Sequence, residues 1–214
     1  RPVHVDFWFD PACPFCWVTS RWLERVRPHR EIDVTWHPIS LLFKNDIGPD
    51  HDFHDRLSAT HGMLRVVEAV RDRHGDEAIG PLYTELGRHV HHRSNHGVDL
   101  ATVLADLGLD AALADARHDE DWDDAIRSAM KAGLELTGDD VGTPLIAIDE
   151  PDRNGARTGD RIGLFGPVLS ELPDVEDSVR LWDGVVTVAS TPAFFELKRN
   201  RSGPPTIPSE DSID

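Results

Sequence analysis

The chain has 214 residues, 39% of them apolar, and carries 22 basic against 39 acidic side chains for a formal net charge of −17. No apolar run approaches the roughly 20 residues that a membrane-spanning helix needs, and so acidic a chain repels phosphate backbones and anionic lipid headgroups. Nucleic acid and membrane are therefore not expected as partners, and the length suits a soluble domain with a substantial core.

Val3, Val5, Phe7 and Phe9 alternate as a first strand, and this opening stretch carries no signal-peptide pattern. Asp10-Pro11 breaks the strand, and Pro14 suits the first turn of a helix, where its missing N–H is no loss. Phe15, Val18, Trp22, Leu23 and Val26 recur at helical spacing as far as Pro28, and Ile32 to His37 read as a second strand. That is a βαβ unit. Residues 45–137 then change to capped helical stripes. Met63, Leu64, Val67 and Val70 form one stripe, stopped at Gly75, and Ile79, Leu82, Tyr83, Leu86 and Val90 form another. Asp99 caps a third, and Asp121 precedes a fourth through Trp122, Ile126, Met130 and Leu134, closed near Gly138. The acidic run 118–124 reads as a solvated helix start.

Strand character returns at 141–149, followed by a polar hairpin loop at 150–160 and a return strand from Arg161 to Phe165. Val175, Val179, Trp182, Val185 and Val186 predict a helix, and residues 191–199 a short last one. The order βαβ, helical block, ββα predicts an α/β chain with a thioredoxin-like domain at 1–44 and 138–201, an inserted α-helical lid at 45–137, and a flexible tail at 202–214.

Cys13 and Cys16 are the only cysteines, and the four-residue loop they close gains little from a staple. A zinc site needs a second ligand pair, and no other cysteine exists to supply it. Thiol–disulfide chemistry needs an attacking thiolate and a nearby resolving thiol. At a helix start, Cys13 meets unpaired N–H groups that stabilise its thiolate, while Cys16, one turn in, is expected to be buried and to resolve. Val141-Gly-Thr-Pro144 enters the third core strand, where a cis Pro144 would face the cysteines and free the Thr143 backbone for a thiol-bearing ligand. Phe15 and Trp17 are candidates to stack a flat substrate ring, and Trp22 is at core spacing. His89, His91, His92 and His96 invite a metal, but their polar setting reads better as a helix end. No metal is expected, and no flavin or Gly-rich dinucleotide motif is visible, so the cysteines themselves would carry the redox change.

The layout resembles the DsbA-like branch of the thioredoxin superfamily. More narrowly, "DFWFDPACPFCWVTSRWL", "GDDVGTP", "FGPVLS" and "FFELKR" are similar to segments of the mycothiol-dependent nitroreductases of actinobacteria. The resemblance implies a cytoplasmic, often homodimeric enzyme without a tightly bound cofactor. Its electrons come from mycothiol or a mycoredoxin, and its substrates include nitroaromatic compounds. It makes Cys13 the nucleophile, Cys16 the resolving thiol and Pro144 the cis proline, and it puts Asn45, His92, Asn95 and His96 in the cleft. Phe15 stands where a member of that family carries tryptophan, so an indole N–H is lost and substrate preference is expected to shift. An apolar Phe15 also gives the thiolate no charge partner, which favours a reductase over an oxidase. Two rivals are a thiol-dependent isomerase or transferase of the 2-hydroxychromene-2-carboxylate isomerase type, and a non-enzymatic redox sensor.

Overall fold

A computed structural model of the chain describes residues 2–151 and 157–213. Four strands, β1 (Val3–Phe9), β2 (Ile32–Pro38), β3 (Leu145–Pro151) and β4 (Arg157–Phe165), form one sheet in the order β2-β1-β3-β4. β1 runs parallel to β2, with Phe7 opposite Trp36, and antiparallel to β3, with Phe7 opposite Ile146; β3 and β4 are antiparallel. The central position of β1 explains its composition, since Val5, Phe7 and Phe9 have no exposed surface. β3 starts at Leu145, later than the alternation from 141 suggests, because Pro144 has no N–H to give a ladder. The return strand starts earlier than expected, at Arg157, and the central part of the proposed hairpin loop lies outside the described residues.

Helix α1 (Pro14–Val26) joins the two parallel strands, and a 3₁₀ turn carries Pro28. Between β2 and β3 lie α2 (Leu41–Lys44), α3 (His54–His74), α4 (Ile79–Gly87), a π-helical turn at Arg88–His92, α5 (Leu100–Asp106), a 3₁₀ segment at Ala111–His118, and α6 (Asp123–Thr137). Helix α7 (Val175–Ala189) follows β4. This is a thioredoxin-like sheet with a helical insertion. α1 and α7 pack together, with the Trp22 indole N–H donating to the Ser178 carbonyl at 3.1 Å and the Trp22 and Trp182 rings 6.0 Å apart. α6 covers the sheet itself: the Trp8 indole N–H donates to the Ala129 carbonyl at 2.8 Å. The sequence pattern groups α6 with the inserted lid, whereas its buried stripe of Ile126, Met130 and Gly133 belongs to the core around the sheet.

Three sequence expectations are corrected. Residues 191–199 form no helix: Phe195 is 94% and Leu197 86% exposed, so no apolar face packs, and so short a helix does not hold alone. The acidic run that starts α6 is corrected at one residue: Asp119, Glu120, Asp121 and Asp124 are exposed as expected, but Asp123 takes a bidentate pair from Arg65 at 2.7 and 2.8 Å and is joined by His61 at 2.9 Å. The tail from Ser202 lies against the body instead of fraying, with Pro205 buried and Ile207 and Ile213 packed on the core.

Topology sets where chemistry can gather. β1 and β2 end, and β3 begins, at the same edge of the sheet, so the loops at 10–13, 39–40 and 139–144 meet there. Strand C-terminal ends are where α/β sheets present ligand sites.

Candidate active site

β1 runs into Asp10-Pro11-Ala12, and Cys13 takes the N-cap of α1 with φ −80° and ψ 114°. An N-cap side chain meets amides that have no partner inside the helix, and Cys13 Sγ accepts from the Cys16 N–H at 3.3 Å. Thr143 Oγ1 donates to the same sulfur at 3.1 Å from 130 residues away in sequence. The Thr143–Pro144 peptide bond is cis, as the motif suggested. Cys13 exposes 6% of its surface and Cys16 none, and both are free thiols. Hydrogen bonding from the Cys16 thiol, helped by Thr143 and the Cys16 amide, holds the Cys13 pKa below the ordinary thiol range against the opposing effect of burial. Burial, reinforced by the neighbouring Cys13, pushes Cys16 well up. The two shifts run in opposite directions, so Cys13 is the more readily ionised thiol of the pair, the polarity that attack and resolution require.

Three groups behind the cysteine loop were not singled out as site residues from the sequence. The fully buried Asp10 carboxylate accepts from the amides of Ala12 and Leu41, each at 2.8 Å, and ties the loop to α2. Burial raises its pKa to about 6. Arg56 Nη2 donates to the Ala12 carbonyl at 3.3 Å. His91, in the π-helical turn, lies beside Pro11, and burial lowers its pKa to about 3, so the ring is neutral at working pH. The sequence signals for two of them are a short acid directly before the proline and the histidine cluster, read there as a helix end and, by resemblance, as cleft lining at His92 and His96.

The other expected residues divide. Phe15, the second residue of α1, is half-buried and packs against the core. Trp17 is corrected: it has no exposed surface and belongs to the core, because it faces α4 and is boxed by Tyr83, His91 and the Arg21 guanidinium, 4.4 Å from its ring centroid. Its indole N–H donates to His92 Nε2 at 2.9 Å, which occupies the nitrogen that His92 would offer a ligand. Asn45 is the exposed C-cap of α2. Asn95 is half-buried, with its amide nitrogen 3.5 Å from His89 Nδ1. His96 is half-buried, and its Nε2, like that of His91, is buried without a hydrogen-bond partner among the described residues. Among those residues, no three His, Cys, Asp or Glu side chains are grouped to hold a metal ion. No helix is long and apolar enough to cross a membrane.

Comparison with known proteins agrees with this geometry. Over 203 residues the chain is 30% identical to the uncharacterized protein Rv2286c of Mycobacterium tuberculosis, covering 92% of this chain and 82% of that one. Its fold is similar to that of the probable DsbA oxidoreductase SCO1869 from Streptomyces coelicolor, with a TM-score of 0.54 at 16% identity and 94% of each chain covered. It is similar too to the cytosolic disulfide reductase DsbM from Pseudomonas aeruginosa with GSH, at a TM-score of 0.57 and 13% identity, over 86% of this chain and 99% of that one. The profile of the mycothiol-dependent nitroreductase Rv2466c family matches residues 12–199, from the residue before Cys13 to the segment after α7, and it is to this Rv2466c-like family that the chain belongs.

Proposed function

We propose that this oxidoreductase is a cytoplasmic mycothiol-dependent nitroreductase that works through its own dithiol, with Cys13 as the nucleophile and Cys16 as the resolving thiol. What carries the reading is the Cys13 sulfur at the α1 N-cap, with donors from Cys16 and Thr143, above a fully buried Cys16. In the reductive half, the dithiol delivers two electrons and two protons to a nitroaromatic substrate. The products are the nitroso compound, water and the Cys13–Cys16 disulfide. In the other half, a mycothiol thiolate attacks Cys13 Sγ, the Cys13–Cys16 bond breaks, and Cys16 leaves as a thiolate and takes up a proton. A second mycothiol then attacks the mixed disulfide, releasing mycothiol disulfide and the Cys13 thiolate. A mycoredoxin would serve as an alternative donor. Thr143 lowers the basicity of the departing Cys13 sulfur, and a lower leaving-group pKa speeds that last step.

The test is turnover of a nitroaromatic with mycothiol, beside glutathione and a thioredoxin system. Turnover is expected with mycothiol, with loss in Cys13→Ser and accumulation of a mixed disulfide in Cys16→Ser. Unchanged activity in Cys13→Ser, or full turnover in Cys16→Ser, would overturn the dithiol mechanism.

A further inference from the structure

One cation at the mouth of the site has no role in the chemistry above. Phe15 lies two residues past Cys13, and Phe165 closes β4 opposite Leu145, the residue after Pro144. The guanidinium carbon of Arg201 sits 5.1 Å from the Phe15 ring centroid and 5.7 Å from that of Phe165. The chain beyond it is pinned on both sides of α1. The Thr206 N–H donates to the Ser170 carbonyl at 2.7 Å, Arg93 pairs with Glu210 at 2.7 Å, and Arg25 donates to the Ser212 carbonyl at 2.9 Å. These anchors hold Arg201 at the cysteine end of the sheet.

A guanidinium resting on aromatic faces uses its plane and leaves its N–H edges free. Among the described residues no carboxylate or carbonyl takes a hydrogen bond from Arg201, in a chain where acidic side chains outnumber basic ones 39 to 22. A fork already held in position loses less freedom on pairing than a free surface arginine, so an anion gains more from it. Arg201 is not needed for the thiolate, whose donors are Cys16 and Thr143. It also lies beyond the 12–199 segment matched by the family profile, which suits a residue that sets preference rather than shared chemistry.

We propose that Arg201 is the specificity residue of this site: it binds the carboxylate of an aromatic substrate seated at the Phe15–Phe165 rim, so that nitrobenzoates are preferred to neutral nitroaromatics. The assignment of a nitro substrate rests on the function proposed above; the preference for an aromatic carboxylate does not.

Two measurements separate them. The first is steady-state reduction of 4-nitrobenzoate and of nitrobenzene with mycothiol, by the unaltered chain, Arg201→Ala and Arg201→Lys. Arg201→Ala is expected to raise KM for 4-nitrobenzoate roughly tenfold, the effect of one charge-assisted hydrogen bond. Its kcat and both constants for nitrobenzene stay unchanged, and Arg201→Lys, which keeps the charge but loses the fork, falls between. The second is calorimetric titration with benzoate and with benzamide, which requires no turnover. Benzoate binding, weakened by Arg201→Ala while benzamide is unaffected, sustains the proposal even if neither nitro compound is reduced, a result that would instead overturn the nitroreductase reading. Equal losses for the charged and neutral compounds, no loss for either, or no benzoate binding would overturn the proposal. So would a shifted pH profile of Cys13 alkylation in Arg201→Ala, because Arg201 would then act through the thiolate.

Discussion

Asp10 sets a carboxylate where water does not reach, and burial lifts its pKa from the usual 3.8 to about 6. The sign of the consequence is fixed by that direction. Between the unfolded and folded values, the folded state holds a proton that the unfolded chain has released, so stability falls as pH rises through this window. Two pK units correspond to roughly 3 kcal/mol as the upper figure. Asp10→Asn keeps one acceptor oxygen for Ala12 or Leu41 and cannot ionise. Urea unfolding at steps from pH 4 to 7 is therefore expected to give Asp10→Asn a flatter pH dependence than the unaltered chain, the two curves diverging between pH 4 and 6. Parallel curves would show that Asp10 is not the group that titrates there. Cys13, Cys16, Thr143 and Pro144 were legible in sequence because their chemistry depends on local spacing and on one long-range pairing that the fold class supplies. Asp10, His91 and Arg201 were not, because each acts only through neighbours that the finished structure brings to it. Trp17 misled for the same reason, since proximity to Cys16 along the chain says nothing about which face of α1 it occupies.

Helix α6 approaches the sheet more closely than its sequence pattern reveals. A Cβ placed on Gly133 would lie 2.8 Å from Cε2 and 2.9 Å from Nε1 of Trp8, a ring that is 2% exposed and tethered to the Ala129 carbonyl. Alanine favours a helix interior by about 1 kcal/mol over glycine, but overpacking a fixed core ring costs about 1–3 kcal/mol. The clash is expected to win. Gly133→Ala should lower the urea unfolding free energy by about 1–2 kcal/mol and shift Trp8 fluorescence, whereas a gain in stability would mean that the helix stands off the sheet. The long helices were read correctly from stripes and stops, and Gly75 and Gly138 both carry the positive φ that such stops require. The short elements escaped. α2 spans four residues, the π-helical turn five, and neither is long enough to set up a period. Residues 191–199 failed in the opposite way, offering apolar residues with nothing to pack on.

Across the whole molecule, the inserted helices and the C-terminal segment are both bolted to the sheet's functional edge. Ser40, in the loop after β2, meets His61 Nδ1 of α3 at 2.8 Å, and His61 Nε2 meets Asp123 of α6 at 2.9 Å, so one polar chain spans three parts of the fold. The tail closes a different gap. It runs from Arg201 over Phe15 to Glu210 beside the π-helical turn and Ser212 at Arg25 near the end of α1, spanning the active-site helix from end to end. Pro205, Ile207 and Ile213 supply its apolar anchorage. Composition alone predicted fraying, since a Pro- and acid-rich segment offers no apolar stripe to pack, but docking needs only a few apolar and backbone contacts strong enough to offset the ordering of the segment. Because the Arg93–Glu210 pair is open to solvent screening, the anchorage rests on buried Pro205, on the partly buried Ile207 and Ile213, and on the two backbone carbonyls. A chain ending at Arg201 is therefore expected to unfold at lower urea than the full chain, by about 1–2 kcal/mol, with little change at high salt because ion pairing contributes least. Coincident unfolding curves would mean that the tail is free in solution, and a difference that vanishes in salt would mean that Arg93 and Glu210, not the apolar contacts, hold it.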